Sequence, residues 1–278
     1  MENIIITSDS NSIEDIFMAD YFIGTMGFSY KDWAGAFYPP GAAARDYLTQ
    51  YGRVFNAVEI DSTFYGTPKP GSVIRWRDQS PEEFKICLKV PREITHEAGL
   101  VNVESEMAGF LEAVMPLGEK LGVILIQFPP SFNSSRTELL APFLEHLPVQ
   151  QRFAVEFRHP SWYTQKTADL LTEKKVCWVA TEFEGVPKDV ALTTDILFIR
   201  LVGVHGMFSE HDHEQIDVTP QLEEWWQWIR SKSDSVHSVY VFFNDDFSGH
   251  APATANRLKE LIGLPVIRPD IPKQMRFF

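Results

Sequence analysis

Five charged residues stand where short apolar runs end, and their types suit acid/base chemistry on an anionic molecule. They are Glu59, Lys89, Glu156, Arg158 and Arg200. Two carboxyl groups in different surroundings can take pKa values far enough apart for one to donate a proton and the other to accept it. A guanidinium grips a carboxylate or phosphate with two parallel hydrogen bonds. The sequence therefore predicts that Glu59 and Glu156 are catalytic and that the three cations bind substrate.

The spacing of Glu156 and Arg158 also allows a purely structural interpretation. The two residues are two positions apart, so in a strand their side chains lie on the same face. The charge of Arg158 should keep Glu156 ionised, which favours a role as base, nucleophile or ligand. The alternative is that Glu156 with Arg158, and Glu59 with Lys89, are ion pairs that only neutralise one another.

Other polar and aromatic residues follow the same apolar runs and are expected to complete the substrate site. They are Tyr30, Trp33, Tyr65, His96, Gln127 and Asn244. The aromatic rings are suited either to stacking on a ligand ring or to packing the loops. His96 is suited to proton transfer near neutral pH, although a loop histidine held by hydrogen bonds is equally compatible with its position.

The sequence predicts no cofactor and no metal site. The string Glu210-His211-Asp212-His213-Glu214 has metal-ligand types but lacks helical spacing, so we interpret it as a solvated charged loop. A divalent metal is the alternative, held at the strand ends by oxygen ligands. Those ligands would be Glu59, Asp61, Glu156 and Asp245.

Eight β-rich runs position these residues. They cover residues 21–24, 57–60, 84–88, 123–127, 153–157, 176–180, 196–201 and 239–243. They recur about every 31 residues, the length of a strand–helix–strand unit, and helical patterns fill every gap except 181–195. The runs are almost continuously apolar, as parallel strands covered on both faces are. We therefore predict an α/β fold: a single (β/α)8 TIM barrel with a parallel eight-stranded sheet. A doubly wound open sheet is the alternative, but no G-x-G-x-x-G turn is present.

Alternation along the runs places the candidate residues together. In each run the residues of one face begin small or apolar and end polar or charged, as in Ala154, Glu156 and Arg158. If that face points into the barrel, the charges collect at the carboxyl-terminal mouth, where barrel enzymes carry their active sites.

Composition narrows the function and the compartment. The chain has 278 residues, a net charge of −13 and two cysteines, and it has no apolar stretch long enough to cross a bilayer. The charge disfavours non-specific nucleic-acid binding and anionic membranes. We expect a cytoplasmic protein, with residues 1–20 as an extension outside the barrel and 21–278 as the barrel domain. Cys87 and Cys177 should be buried, reduced and unjoined, because the third and sixth strands stand nearly opposite each other.

Six ordered motifs resemble one family. They are GTMGFSYKDW at 24–33, VEIDSTFY at 58–65, KVPREITH at 89–96, QFPPSF at 127–132, EFRHPSW at 156–162 and YVFFND at 240–245. The chain resembles the DUF72 (YecE-like) family, which implies a TIM barrel of unassigned activity over residues 21–278. Met26 replaces a usual serine, and Asp61 stands where asparagine is typical. The histidine after Arg200 stands farther along the chain than the family pattern places it, which argues against a role for His205.

From these observations we expect an enzyme using carboxylate acid/base chemistry at the barrel mouth. Its substrate would be a small anionic or polyhydroxylated molecule, and its reaction would be hydrolase-like. A metal-assisted isomerase or phosphodiesterase is one alternative, and a non-catalytic metabolite-binding barrel is the other. The fold does not decide among them, because this barrel hosts many chemistries.

Overall fold

The computed structural model describes residues 19–269 and residue 271. Of the extension predicted over residues 1–20, residues 1–18 lie outside the described residues. The first strand already begins at Asp20, one residue before the predicted boundary.

Nine strands form the centre of the described structure, and every pairing between them is parallel. They are β1 (Asp20–Thr25), β2 (Ala57–Ile60), β3 (Lys85–Lys89), β4 (Leu121–Gln127), β5 (Arg152–Glu156), β6 (Cys177–Trp178), β7 (Ala180–Glu182), β8 (Ile196–Leu201) and β9 (Ser238–Phe243). Each predicted run overlaps a strand, and the bounds of β2 and β8 are those predicted. The run at 176–180 is the exception, because it is divided between β6 and β7.

The strands belong to two sheets, with orders β1-β9-β8-β7 and β2-β3-β4-β5-β6. The parallel α/β architecture is therefore confirmed, whereas a single eight-stranded barrel is not. One break falls at Val179, between β6 and β7, where the backbone N–H of Val179 donates to the carbonyl of Val155 at 2.9 Å. The other break separates β1 from β2, which meet only at an isolated bridge between Met26 and Glu59.

Side chains form hydrogen bonds with backbone groups of β1 on the side that faces β2. The hydroxyl of Tyr51 accepts from the amide of Thr25 at 2.8 Å and donates to the carbonyl of Ala57 at 3.1 Å. Asn56 accepts from the amide of Ile23 at 3.1 Å. A backbone ladder between β1 and β2 is interrupted because these amides already have side-chain partners.

Within the described part of the chain, seven α-helices accompany the strands. They are α1 (Tyr47–Tyr51), α2 (Pro70–Gln79), α3 (Glu104–Val114), α4 (Thr137–Glu145), α5 (Gln165–Glu173), α6 (Thr219–Ser233) and α7 (Ala251–Leu261). The sequence has a helical pattern over residues 104–120, in which Pro116 predicts a kink or a new start. The structure divides it: α3 ends at Val114, a 3-10 segment covers Met115–Lys120, and Gly118 takes φ 57°. No helix occupies residues 183–195, as the weak pattern there predicted.

Two apolar clusters separate the two faces of the strands. A large cluster packs the strands against the helices. A second, smaller cluster contains residues of the face predicted to point inward, including Ala57, Cys87, Leu125, Ala154 and Phe198. The polar residues that end this face lie beyond the smaller cluster, at the edge formed by the carboxyl ends of the strands, which we call the carboxyl edge.

Both cysteines are buried and free, which confirms the prediction that no disulfide joins Cys87 to Cys177. Among the helices of the described residues, none combines the length and apolar character that a membrane crossing requires.

Candidate functional site

Arg200, at the end of β8, holds two buried glutamates. Its Nε and Nη2 atoms donate to the two carboxylate oxygens of Glu59 at 2.9 and 2.7 Å, and its Nη1 donates to Oε2 of Glu156. Nη2 also contacts the sulfur of Met26 at 3.3 Å. Only 3 % of Arg200 is exposed and both glutamates are fully buried. Every guanidinium nitrogen of Arg200 therefore has a protein partner, which leaves it poorly placed for the substrate contact predicted from the sequence.

Arg158 keeps part of its guanidinium available. Its Nε donates to Oε1 of Glu156 at 2.8 Å, and the guanidinium lies over the ring of Phe183 at 4.4 Å. Within the described residues, neither Nη atom of Arg158 has a hydrogen-bond acceptor. The side chain is 20 % exposed, so these two donors can reach a ligand at the carboxyl edge.

Lys89, the last residue of β3, is a second cation with donor hydrogens that no described residue accepts. It is 9 % exposed, and Nζ lies 3.9 Å from the centre of the Phe64 ring. Among the residues that the structure describes, no carboxylate forms an ion pair with Nζ. Burial and the charge of Arg200 lower the pKa of Lys89 to about 8, against the opposing charge of Asp61.

The two glutamates have the same burial and opposite pKa shifts. Burial raises the pKa of Glu59 to about 8, and the carboxylate of Asp61 adds to this effect, while Arg200 opposes it. Burial acts in the same direction on Glu156, but the guanidiniums of Arg200 and Arg158 outweigh it and hold the pKa at about 2. Burial therefore favours the protonated form of Glu59, whereas Glu156 is held in its ionised form.

Asp61 directly follows β2 and lies nearer to the protein surface than Glu59 does. The residue is half-buried, and its Oδ1 atom is buried without a hydrogen-bond partner among the described residues. Hydrogen bonding with Asp61 favours the protonated form of Glu59. The carboxylate of Asp61 therefore adds to the effect of burial on Glu59.

His96 lies beside the same cations, in a single π-helical turn over Glu93–Glu97. Its ring packs edge-to-face on Phe64 at 4.8 Å, and Nδ1 pairs with the hydroxyl of Thr95 at 2.8 Å. Burial, followed by the charges of Lys89 and Arg158, lowers the pKa of His96 to about 4. The imidazole is therefore neutral at pH 7 and can accept a proton.

The remaining predicted site residues are mostly engaged in local structure. The amide of Gln127 donates to the carbonyl of Phe128, and Asn244 accepts from the amide of Asp246 at 2.9 Å. Both side chains therefore bind the backbone next to them, which short polar side chains at strand ends commonly do.

Two of the three predicted aromatic residues lie near the site but are packed in the loops. Tyr30 donates to the carbonyl of Met26 at 2.6 Å, and Trp33 is fully buried with its Nε1 at 3.2 Å from both carboxylate oxygens of Asp245. Tyr65, at 77 % exposure, lies on the outer surface instead.

The histidine-rich loop makes dispersed contacts. His211 approaches Asp246 at 3.4 Å, and His213 pairs with its neighbour Asp212 at 2.6 Å. The side chain of His205 is fully exposed and lies 3.4 Å from Asp246. In the described ranges, no three residues among His, Cys, Asp and Glu are grouped closely enough to hold a metal ion.

Phe64 and Phe183 are the members of the site that the sequence argument did not single out as supports for the cations. Phe64 packs under Lys89, and Phe183 packs under Arg158. Phe183 directly follows β7, and Phe64 lies in the 3-10 segment Asp61–Tyr65 after β2; packing alone would also explain an aromatic residue at either position.

The comparisons with known proteins agree with this architecture. Residues 22–275 match the model of the family described as protein of unknown function DUF72. The UPF0759 protein YecE of Escherichia coli is 36 % identical over 260 residues, covering 83 % of this chain and 92 % of that protein. The UPF0759 protein YunF of Bacillus subtilis is 25 % identical over 271 residues, covering 87 % and 95 %.

A solved structure has the same fold. The crystal structure of a DUF72 family protein from Thermotoga maritima superposes with a TM-score of 0.77 at 28 % identity, covering 88 % of this chain and 99 % of that one. A DUF72 family protein from Enterococcus faecalis gives 0.73 at 22 % identity, covering 90 % and 100 %, and it supports the fold alone. The chain belongs to the DUF72 family.

Proposed function

We propose that this chain is an enzyme that binds a small anionic substrate at the carboxyl edge and moves a proton with the Glu59–Asp61 pair. The observation that carries the proposal is a pair of cations whose donors have no acceptor among the described residues: Nζ of Lys89 and both Nη atoms of Arg158. Buried or half-buried donors of this kind stabilise a carboxylate or phosphate more strongly than surface cations do.

The proton-transfer role falls to Glu59 rather than to Glu156. A group that donates a proton at neutral pH must hold it there, and the pKa of about 8 on Glu59 meets this requirement. Two guanidiniums hold Glu156 in its ionised form, so its role is to position Arg158 and Arg200 rather than to donate a proton. Asp61 extends the pair toward the substrate because it is the half-buried member.

We also propose that the two sheets close into one (β/α)8 barrel. Parallel β1 and β2 approach each other so closely that a Cβ on Gly24 would lie 2.0 Å from the carbonyl oxygen of Ala57. At the other break, β6 and β7 follow one another with only Val179 between them. In such a barrel the carboxyl edge is the mouth, where active sites are found.

A hydrolase-like reaction is the reaction class that we propose for this site. Glu59 would protonate the leaving oxygen, and Asp61 would orient the attacking water. The metal-assisted alternative would need oxygen ligands from Glu59 and Glu156, and the guanidiniums already bind the oxygens of both. A binding protein without turnover would use the same anion site.

Two measurements test the proposal. The first is binding of inorganic phosphate and of acetate by calorimetry, with Arg158→Leu compared to Arg152→Leu. Arg152 starts the strand that Arg158 follows, and it has its own carboxylate partner, Asp195, at 2.6 Å. Anion binding that survives Arg158→Leu unchanged contradicts the assigned anion site.

The second measurement is turnover of nitrophenyl phosphate monoesters, diesters and glycosides. Activity that Glu59→Gln abolishes supports proton transfer by Glu59. Anion binding without any turnover across these substrates favours the binding-protein alternative.

A further inference from the structure

We propose that Lys89 is a nucleophile whose amine condenses with an aldehyde or ketone group of the substrate to form an imine. The inference rests on the anion site proposed above, and it adds a second chemical feature to the ligand. The substrate class is then a small molecule with a carbonyl carbon close to a carboxylate or phosphate, such as an oxo acid or a sugar phosphate.

The position of Lys89 distinguishes it from the other lysines that the structure describes, because it alone is buried. Lys85, at the opposite end of β3, is half-buried and donates to the carbonyl of Glu119 at 2.8 Å. The nitrogen of Lys89 lies over the face of Phe64 and has no hydrogen-bond acceptor among the described residues. A buried amine with no anionic partner is held less firmly in its charged form than a paired one.

Charges of both signs act on Lys89, and burial has the largest effect on its pKa. Arg200 lowers the pKa, and Asp61, Glu156 and Glu59 raise it, which leaves it at about 8 instead of 10.5. At pH 7, a pKa of about 8 gives roughly 300-fold more neutral amine than the ordinary value does. Desolvation and a neighbouring cation are the two recognised ways of activating a lysine nucleophile.

The condensation balances without any redox partner. The nitrogen lone pair attacks the carbonyl carbon, a C–N bond forms, and the carbonyl oxygen takes a proton to become an alcohol. The second nitrogen proton is then lost, C=N forms, and the oxygen leaves as water after a further protonation. Both protons that leave the nitrogen end on the departing water.

Proton carriers for these steps surround the amine. His96 packs on the same Phe64 ring and is neutral at pH 7, so it can relay a proton from nitrogen to the carbonyl oxygen, although a pKa of about 4 makes it a weak base on its own. The Glu59–Asp61 pair is suited to protonate the leaving oxygen. Arg158 offers the free donors that would hold the anionic group of the same molecule.

The test is reductive trapping on the full-length protein. The protein is incubated at pH 7 with glyoxylate, or with glyceraldehyde 3-phosphate, in the presence of cyanoborohydride. The modified lysine is then located by peptide mass mapping. We expect Lys89 to be labelled at least about tenfold faster than any other lysine. The glyoxylate and phosphate probes distinguish a carboxylate from a phosphate as the preferred anion.

Variants give matched controls. Lys89→Met should abolish the fast labelling, whereas Lys85→Met on the same strand should leave it unchanged. The labelling map of the unsubstituted protein decides the question even where Lys89→Met does not fold. Labelling spread evenly over exposed lysines, or an unlabelled Lys89, overturns the imine proposal.

Failure of the imine proposal can be distinguished from failure of the anion site. If phosphate binding depends on Arg158 but Lys89 is not trapped, the imine proposal fails and the anion site remains. Acetaldehyde provides a neutral probe: equal trapping of acetaldehyde and glyoxylate at Lys89 retains the nucleophile and contradicts the anion site.

Discussion

Replacing Glu156 by glutamine is the perturbation whose effect the structure fixes most closely. Glutamine keeps the shape of the side chain but removes the charge that two guanidiniums surround. The pKa of Glu156 falls from an ordinary 4.5 to about 2 in the folded protein. Each unit is worth about 1.4 kcal/mol, so the ionised form contributes about 3 kcal/mol to stability at neutral pH. The side chain is fully buried, so solvent does not screen this contribution.

The pH dependence gives the sign of the effect. A carboxyl group whose folded pKa is depressed stabilises the protein above its unfolded pKa and loses that contribution as pH falls through the folded value. We therefore expect Glu156→Gln to lower the free energy of unfolding by about 3 kcal/mol at pH 7 and by about 1 kcal/mol at pH 3. Small domains have about 5–15 kcal/mol in total, so the variant should still fold.

Urea unfolding followed by circular dichroism at the two pH values measures both differences. Glu59→Gln is the matched control, because Glu59 is equally buried and contacts the same Arg200. The pKa of Glu59 is raised, so glutamine replaces a neutral group at pH 7, and the loss should be clearly smaller. A loss below about 1 kcal/mol for Glu156→Gln at pH 7, or an equal loss at pH 3, would refute the reasoning.

Further predictions concern binding, the pKa of Glu59 and the cysteines. Arg158→Leu should weaken phosphate binding about 10–100-fold by calorimetry, while Arg152→Leu should leave it unchanged; equal losses would show non-specific attraction. Asp61→Asn should lower the pKa of Glu59, measured by NMR titration of carboxyl-labelled glutamates. An unchanged pKa would contradict the effect of the Asp61 charge on Glu59. Iodoacetamide should modify neither cysteine in native protein and both in urea; rapid modification without urea would contradict their burial.

Much of the strand framework was predictable because it rests on local patterns. The run at 57–60 alternates between the two faces, and Arg200 is the charged residue near the end of the apolar run at 196–201, so their bounds and inward residues could be read directly. The helix at Pro70–Gln79 begins at a proline that fits a first turn. The break at Val179 could not be found, because residues 176–180 form a continuous apolar run without any visible interruption.

The pairing within the candidate site was less predictable because it depends on strands distant in the sequence. Glu59 and Arg200 are 141 positions apart, and nothing in either motif shows that the arginine binds both glutamates. Alternation predicted only that both point inward. Gln127 and Asn244 satisfy that alternation too, but their side chains form hydrogen bonds with the neighbouring backbone instead of with the other site residues.

The contacts of Arg200 also cross the division between the two sheets. Arg200 belongs to β8 in the four-stranded sheet, whereas Glu59 and Glu156 belong to β2 and β5 in the five-stranded sheet. The backbone contributes few hydrogen bonds where these sheets meet, and the side chain of Arg200 connects the two sheets by its ion pairs with Glu59 and Glu156. The carboxyl edge therefore cannot widen unless the guanidinium of Arg200 moves away from a glutamate. These ion pairs restrain the carboxyl edge at the place where a ligand would enter.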